Sequence, residues 1–127
     1  MNNYMNNNMN NSTAITRGKI IMVDLPMSNN SIQGGLRPCL VVSNDRGNQY
    51  SPVLIVVPIT SRQTKKPMPT HFHIEPSLMN GLTKKSIALA EQIITIGKEM
   101  VVDVIGELNL SEMNLFNSKL KKSLNLF

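Results

Sequence analysis

The sequence has no tryptophan, a single cysteine and few aromatic residues, which make up 4% of its 127 positions. One cysteine excludes an intramolecular disulfide, and Cys39 lies in an apolar run, where a free cysteine behaves as a small core residue rather than as a nucleophile. The scarcity of aromatic rings argues against a surface on which nucleic-acid bases stack. We therefore expect an aliphatic core, and any base recognition should use polar side chains and the backbone.

Long apolar runs are also absent. No run approaches the ~18 residues that a membrane-spanning helix needs, and the N-terminus has no apolar signal core. These absences predict a cytoplasmic protein with no membrane association. A chain of 127 residues suits one domain, which buries about two-thirds of the surface of its unfolded form.

The charge balance is basic, with 13 Lys and Arg against 8 Asp and Glu and a net charge of +5. This excess favours a polyanionic partner, either nucleic acid or an acidic protein segment. The basic residues are spread along the chain, so they do not form a basic tail, and most are expected to be solvated surface charges.

Composition divides the chain into two parts. Residues 1–16 are dominated by asparagine with interspersed methionine, a polar composition that cannot bury enough apolar area to order itself. We interpret this segment as a disordered extension and residues 17–127 as the folded domain.

Short apolar runs separated by turn residues predict a mainly β fold. The strands are expected at 19–25, 39–43, 53–59, 70–74, 86–90 and 100–105, with a long polar loop between the first two. The last segment has a helical period in Met113, Phe116, Leu120 and Leu124, with Ser111 as the predicted N-cap. Several strands followed by one helix favour a small antiparallel barrel or half-barrel with helical cover.

The stretch Gln33-Gly34-Gly35-Leu36-Arg37-Pro38 is the most informative motif. Two glycines permit a sharp turn and close approach of a ligand such as a phosphate, and Pro38 restricts Arg37 to an extended conformation. The positively charged side chain of Arg37 would then lie next to the glycine loop in a fixed position. The alternative is a tight turn into a core strand with a solvated arginine.

The motif continues into Pro58-Ile59-Thr60-Ser61-Arg62, then Pro69-Thr70-His71, then Glu91-Gln92-Ile93. In this order, the segments resemble the MazF/PemK family of toxin endoribonucleases. The resemblance runs from about Arg17 to the C-terminus, and its specific parts are the glycine loop and the strand that ends in Ile-Thr-Ser.

The resemblance implies an SH3-like or CcdB-like antiparallel β-barrel with a C-terminal helix. It implies a sequence-selective, metal-independent mRNA interferase that cleaves single-stranded RNA through attack of the ribose 2′-OH. Arg37 and Thr60 match the family's catalytic residues. A guanidinium can bond two phosphate oxygens in parallel and a hydroxyl can hold a third, which is the chemistry that developing phosphate charge requires.

The remaining site candidates are polar or small residues near these motifs. Those expected to contact RNA are Ser31, Gln33, Gly34, Gly35, Ser61, Arg62, His71, Glu91 and Gln92. Arginine retains its proton in proteins, so Arg37 suits charge stabilisation better than general base catalysis, and the base stays open with His71 as one candidate. Glu91 and Gln92 have an alternative role as a buried hydrogen-bonding pair. No metal site and no cofactor are expected.

The resemblance further implies a homodimer and a cognate acidic, MazE-like antitoxin whose partly disordered segment folds into the basic cleft. Two rival functions use the same fold. One is a non-catalytic, CcdB-type gyrase-poisoning toxin, and the other is a degenerate member that binds RNA or antitoxin without cleaving. The joint presence of Arg37 and Thr60 favours the enzyme.

Overall fold

The structure, a computed structural model, describes residues 13–26, 34–63 and 66–127. Two α-helices, seven strands and a short 3₁₀ helix at Lys98–Met100 follow one another in these ranges. In chain order the strands and α-helices are β1 (Lys19–Leu25), β2 (Gly35–Val41), α1 (Asp45–Tyr50), β3 (Val53–Thr60), β4 (His71–Ile74), β5 (Ser86–Leu89), β6 (Ile94–Gly97), β7 (Val101–Glu107) and α2 (Leu110–Leu124).

The strands form one antiparallel sheet in the order β4-β5-β3-β2-β1-β7, and β6 also pairs with β3. Along the path β6-β3-β2-β1-β7, the two end strands are separated by four strand spacings of about 4.8 Å, or about 19 Å in a flat sheet. The three-residue connection between them reaches at most about 15 Å. The sheet must therefore curl, although it is not closed among the described strands. The predicted class of small antiparallel β fold with a C-terminal helix is confirmed.

Alternation along the strands separates two apolar clusters on opposite faces of the sheet. Ile20 and Leu40 belong to the cluster that α2 covers with Met113 and Phe116. Neighbouring positions such as Ile21, Cys39, Val41 and Val56 belong to the second cluster. Because successive side chains of a strand point to opposite faces, each central strand contributes to both clusters.

Arg17 ties helix α2 to the sheet. Its Nε donates to the Val42 carbonyl at 2.9 Å and its terminal nitrogen donates to Asn117 Oδ1 at 2.8 Å. These two bonds give this basic residue a structural role in joining α2 to the sheet.

Four features differ from the predicted elements. Strand β2 spans Gly35–Val41 and not 39–43, so Arg37 lies within the strand. The predicted N-cap Ser111 is wrong: Asn109 caps α2, because its side chain accepts from the Glu112 amide while the Glu112 side chain accepts from the Asn109 amide. Helix α1 and strand β6 were not predicted. In α1, Asn48 is buried and its amide donates to the Ser43 carbonyl, so tertiary contacts stabilise a segment with weak helix propensity.

Two prolines stand where the ladder between β2 and β3 ends. The last described pair is Cys39 with Pro58, and Pro38 immediately precedes it on β2. Proline has no N–H to donate, so two backbone donors are missing at this point. At the same place β3 changes partners, pairing with β6 through Val53–Val56 and with β5 through Ile59 and Thr60. The end of β3 therefore stays paired with β5, while the start of β2 has no described pair with β3 before Cys39, so a cleft can open between β2 and β3.

The boundary of the N-terminal extension stays a prediction, since residues 1–12 lie outside the described ranges. Residues 13–16 are described, and Ile15 packs against the second apolar cluster. Within the described ranges, neither helix has the length and apolar character needed to cross a membrane.

Candidate active site

A cleft of about 470 Å³ opens at the ends of β2, β3 and β5. Its size lies within the range of small-ligand sites, about 300–1,000 Å³. Three segments line it: the start of β2, the end of β3 with the residues after it, and the end of the loop before β5. The lining residues are Leu36, Arg37, Pro38, Ile59, Thr60, Ser61, Arg62, Leu82, Thr83, Lys84 and Ser86.

Arg37 is the third residue of β2 and is half-buried. Its Nε donates to the carbonyl of Gly34 at 3.0 Å, and Gly35 between them has a φ of 82°. That left-handed conformation favours glycine, so the motif needs Gly35 to fold the chain back toward the guanidinium. The Nε bond uses one of five N–H donors and fixes the guanidinium plane, while the four terminal donors are not used by this bond.

Thr60 is the last residue of β3 and is 7% exposed. Its Oγ1 accepts a hydrogen bond from the Arg62 backbone amide at 3.1 Å. A hydroxyl that accepts through its oxygen keeps its own proton for a further donation. The local turn after β3 therefore orients the Thr60 hydroxyl as a donor.

Arg37 and Thr60 share one face of the sheet. Continuing the Cys39–Pro58 register by two residues places Arg37 level with Thr60 on adjacent strands. Both residues line the same cleft, so a guanidinium from one strand and a hydroxyl from the next can contact one small anion there. Of the predicted site residues, the structure brings Arg37, Thr60, Ser61 and Arg62 into the cleft, with Gly34 as the acceptor that positions Arg37.

His71 and Glu91 form a separate cluster outside this cleft. The His71 side chain is buried, with the residue 4% exposed, and its Nε2 lies 3.4 Å from Glu91 Oε2. Thr70 Oγ1 donates to Glu91 Oε1 at 2.9 Å, and His71 Nδ1 has no hydrogen-bond partner in the described part of the chain. Glu91 is partly exposed, and its carboxylate accepts from Thr70 and lies next to His71.

The cluster is also distant from Thr60. His71 pairs with Leu89 on β5, and β5 pairs with β3, so His71 lies two strands from β3, about 10 Å. The geometry therefore does not bring His71 within hydrogen-bond reach of Thr60. Gln92 donates its backbone amide to Leu89 and closes the turn that holds Glu91. Ser31 and Gln33 lie outside the described residues, so their proposed contacts stay predictions.

Sequence reasoning missed the third wall of the cleft, which Leu82, Thr83, Lys84 and Ser86 form. The spread of basic residues along the sequence predicts only a solvated surface charge at Lys84. The available signal was the loop Gly81-Leu82-Thr83-Lys84-Lys85 just before a predicted strand, since loops at strand ends often carry functional residues.

Cys39 lies beside the site but is not a nucleophile. Burial raises the pKa of its thiol to about 12, and the positive charge of Arg37 opposes this only in part. The thiol is therefore protonated at neutral pH, as the sequence predicted for a core cysteine. Among the described residues, no group of three or more His, Cys, Asp or Glu side chains could hold a metal ion.

Comparison with known proteins gives consistent results. The family described as PemK-like, MazF-like toxin of type II toxin-antitoxin system matches residues 16–124. A Staphylococcus saprophyticus protein named endoribonuclease MazF is 40% identical over 110 residues, which cover 87% of this chain and 91% of the relative.

Solved structures share the fold. A mycobacterial endoribonuclease in complex with its cognate antitoxin is 31% identical, with a TM-score of 0.73 over 90% of this chain and 98% of that chain. MazF from Deinococcus radiodurans, at 21% identity, has a TM-score of 0.74 over 90% of this chain and 99% of that chain, which supports the fold alone.

The chain therefore belongs to the PemK-like, MazF-like toxins of type II toxin–antitoxin systems. The family predicted from the sequence is confirmed, and with it the class of endoribonuclease toxin.

Proposed function

We propose that this toxin is a sequence-selective mRNA interferase that cleaves single-stranded RNA without a metal ion, with Arg37 and Thr60 as its catalytic residues. The observation that carries the proposal is that the two side chains occupy neighbouring strands in one cleft, each oriented by a local hydrogen bond. The 40% identical endoribonuclease supports the same reaction class.

In the proposed reaction the ribose 2′-OH attacks the adjacent phosphorus atom in line, and the P–O5′ bond breaks. The products are a 2′,3′-cyclic phosphate and a 5′-OH end, and a proton passes from the 2′-OH to solvent or a base while the leaving oxygen takes one up. Negative charge develops on the non-bridging oxygens during the attack. The Arg37 guanidinium bonds two of them and the Thr60 hydroxyl donates to the phosphate, which stabilises the transition state.

Ser61 and Arg62 extend the contacts with RNA beyond the reacting phosphate. Both follow Thr60 directly, and both line the cleft. Ser31, Gln33, Gly34 and Gly35 contribute amide and backbone donors from the loop before Arg37. The exposed edge of the Glu91 and Gln92 turn contacts RNA more distantly, with His71 holding Glu91 in place.

The chain acts in the cytoplasm as a homodimer, and a cognate acidic antitoxin inhibits it. The net charge of +5 suits an acidic inhibitor, and a mycobacterial structural relative was solved with its cognate antitoxin. The toxin domain is residues 17–127. The non-catalytic rivals are not favoured, because a gyrase poison or a degenerate binder has no need of a paired Arg37 and Thr60.

The proposal is tested by incubating purified toxin with a long RNA in excess EDTA and mapping both new ends. Cleavage at a recurring sequence with cyclic phosphate and 5′-OH termini supports it. Loss of all cleavage in EDTA, restored by added metal ion, contradicts a metal-independent mechanism, and RNA binding without any cleavage supports the degenerate binder.

A further inference from the structure

Three basic residues from separate segments converge on the cleft: Arg37 from β2, Arg62 after β3 and Lys84 before β5. No carboxylate occurs among the described residues that line it. Like charges in one cleft repel one another, so such an arrangement is favourable only when an anion occupies it.

The loop that carries Lys84 is held by a buried asparagine. Asn80 is 1% exposed, and its Oδ1 accepts from the backbone amides of Ser77 and Leu82, each at 3.0 Å. Its Nδ2 donates to the Glu75 carbonyl at 2.9 Å. One side chain therefore bonds three points of the loop, which restricts its conformations.

The same loop is fixed against the rest of the fold. Gly81 has a φ of 71°, and a Cβ there would clash with the Ile105 carbonyl, so the loop backbone lies directly on β7. Leu82 is buried in the first apolar cluster, and Gln63 Nε2 donates to the Lys85 carbonyl at 3.3 Å. These contacts place the backbone of Lys84 at the cleft rim in a defined position.

Lys84 enters the cleft beyond the level of Arg37 and Thr60. The register pairs Thr60 with Ile87, and Lys84 precedes Ile87 by three residues in the loop before β5, on the side past the end of β3. The lysine ammonium is a point charge on a flexible side chain and lacks the bidentate geometry of arginine. It therefore suits a phosphate whose charge it neutralises without fixing the orientation of the phosphate.

We propose that Lys84 binds a backbone phosphate next to the scissile one and so positions the RNA strand across Thr60. This inference rests on the proposed endoribonuclease function and assigns Lys84 to substrate binding, not to the chemical step. Lys85, the neighbouring lysine, is exposed and does not line the cleft, which makes it a matched control of equal charge.

The test compares the full-length toxin with its Lys84→Ala, Lys84→Arg and Lys85→Ala variants. The probe is a fluorescein-labelled RNA that spans the mapped cleavage site and carries a 2′-deoxyribose at the attacking position, so that it binds without being cut. Fluorescence anisotropy gives the Kd at several KCl concentrations, and cleavage of the unmodified RNA gives kcat and KM.

We expect Lys84→Ala to weaken binding about 2–5-fold at low salt, as loss of one solvent-exposed ion pair does. The slope of log Kd against log salt should shrink in magnitude by about 0.7, the value for one contact with a single strand. KM should rise with kcat changed less than about 3-fold, Lys84→Arg should retain most of the affinity, and Lys85→Ala should bind nearly as the parent does.

Equal effects of Lys84→Ala and Lys85→Ala on Kd and on the salt slope would overturn the inference, as would a large fall in kcat without a change in affinity. Cleavage by an Arg37→Ala variant in the same buffer reports separately on the proposed function. If Arg37→Ala is inactive while Lys84→Ala equals its control, only the inference about Lys84 fails. If the parent cleaves no RNA, both fail.

Discussion

Replacement of Asn80 by alanine probes the anchor of the cleft's third wall. The variant removes two acceptor contacts and one donor contact, and it leaves the amide of the buried Leu82 without its partner. An unsatisfied buried backbone group costs about 1–3 kcal/mol, while water can replace the bonds at the exposed Ser77 and Glu75 ends. We expect the free energy of unfolding to fall by about 2–3 kcal/mol.

The assay is urea unfolding at one fixed protein concentration, because the stability of the proposed dimer would depend on concentration. Thermal unfolding should show a fall in Tm of roughly 10 °C for a chain of this size. Ser77→Ala is the matched control: its hydroxyl oxygen accepts only the Asn80 amide at 3.1 Å, and the residue is exposed. The control should cost less than about 1 kcal/mol.

The Asn80→Ala variant should also bind RNA more weakly at temperatures where it is still folded, since Lys84 loses its fixed position. An unfolding free energy within about 0.5 kcal/mol of the parent would show that Asn80 does not anchor the loop, because ordinary surface substitutions change stability by that much.

Three further predictions concern the core, the thiol and the N-terminus. Phe116→Ala should cost about 3–5 kcal/mol in urea unfolding, because Phe116 is fully buried and packs edge-on against Phe72. Cys39 should resist a thiol reagent at pH 8 in the native state. The pKa of the Cys39 thiol is about 12 in the folded protein, above the ordinary value of 9.0. The unfolded thiol therefore ionises first as the pH rises, and this should lower the free energy of unfolding only above about pH 9. Deletion of residues 1–12 should leave Tm and cleavage unchanged, whereas Ile15→Ala should lower Tm slightly.

Strand β1 and the turn before Arg37 could be predicted because their sequence patterns lie within a few neighbouring residues. The strand 19–25 coincides with β1, and the glycine loop predicted a sharp turn that the positive φ of Gly35 provides. The correct N-cap of α2 could also have been predicted from the sequence. Asn109 and Ser111 are both good caps, but only Asn109 has a glutamate three positions later, and that capping box decides between them.

The elements that were missed depend on contacts between distant residues. Strand β6 is four residues long and partly exposed, and it becomes a strand because it pairs with β3 about forty residues earlier. Lys84 reaches the cleft because its loop packs on Ile105 and Gly106 of β7. Neither pairing leaves a periodic pattern in the sequence around the residue concerned. The loop before β5 indicates that a functional residue lies nearby, but only the packing on β7 shows that Lys84 lines the cleft.

The single-turnover cleavage rate of Arg37→Ala measures how far Arg37 stabilises negative charge on the reacting phosphate. The rate should fall by about 10²-fold or more, as it does on loss of a preorganised donor, and Arg37→Lys should restore little because it lacks the two-pronged geometry. The Tm should change far less, since Arg37 is only half-buried at the cleft. If the Arg37→Ala toxin cleaves RNA as fast as the parent, Arg37 is not a catalytic residue.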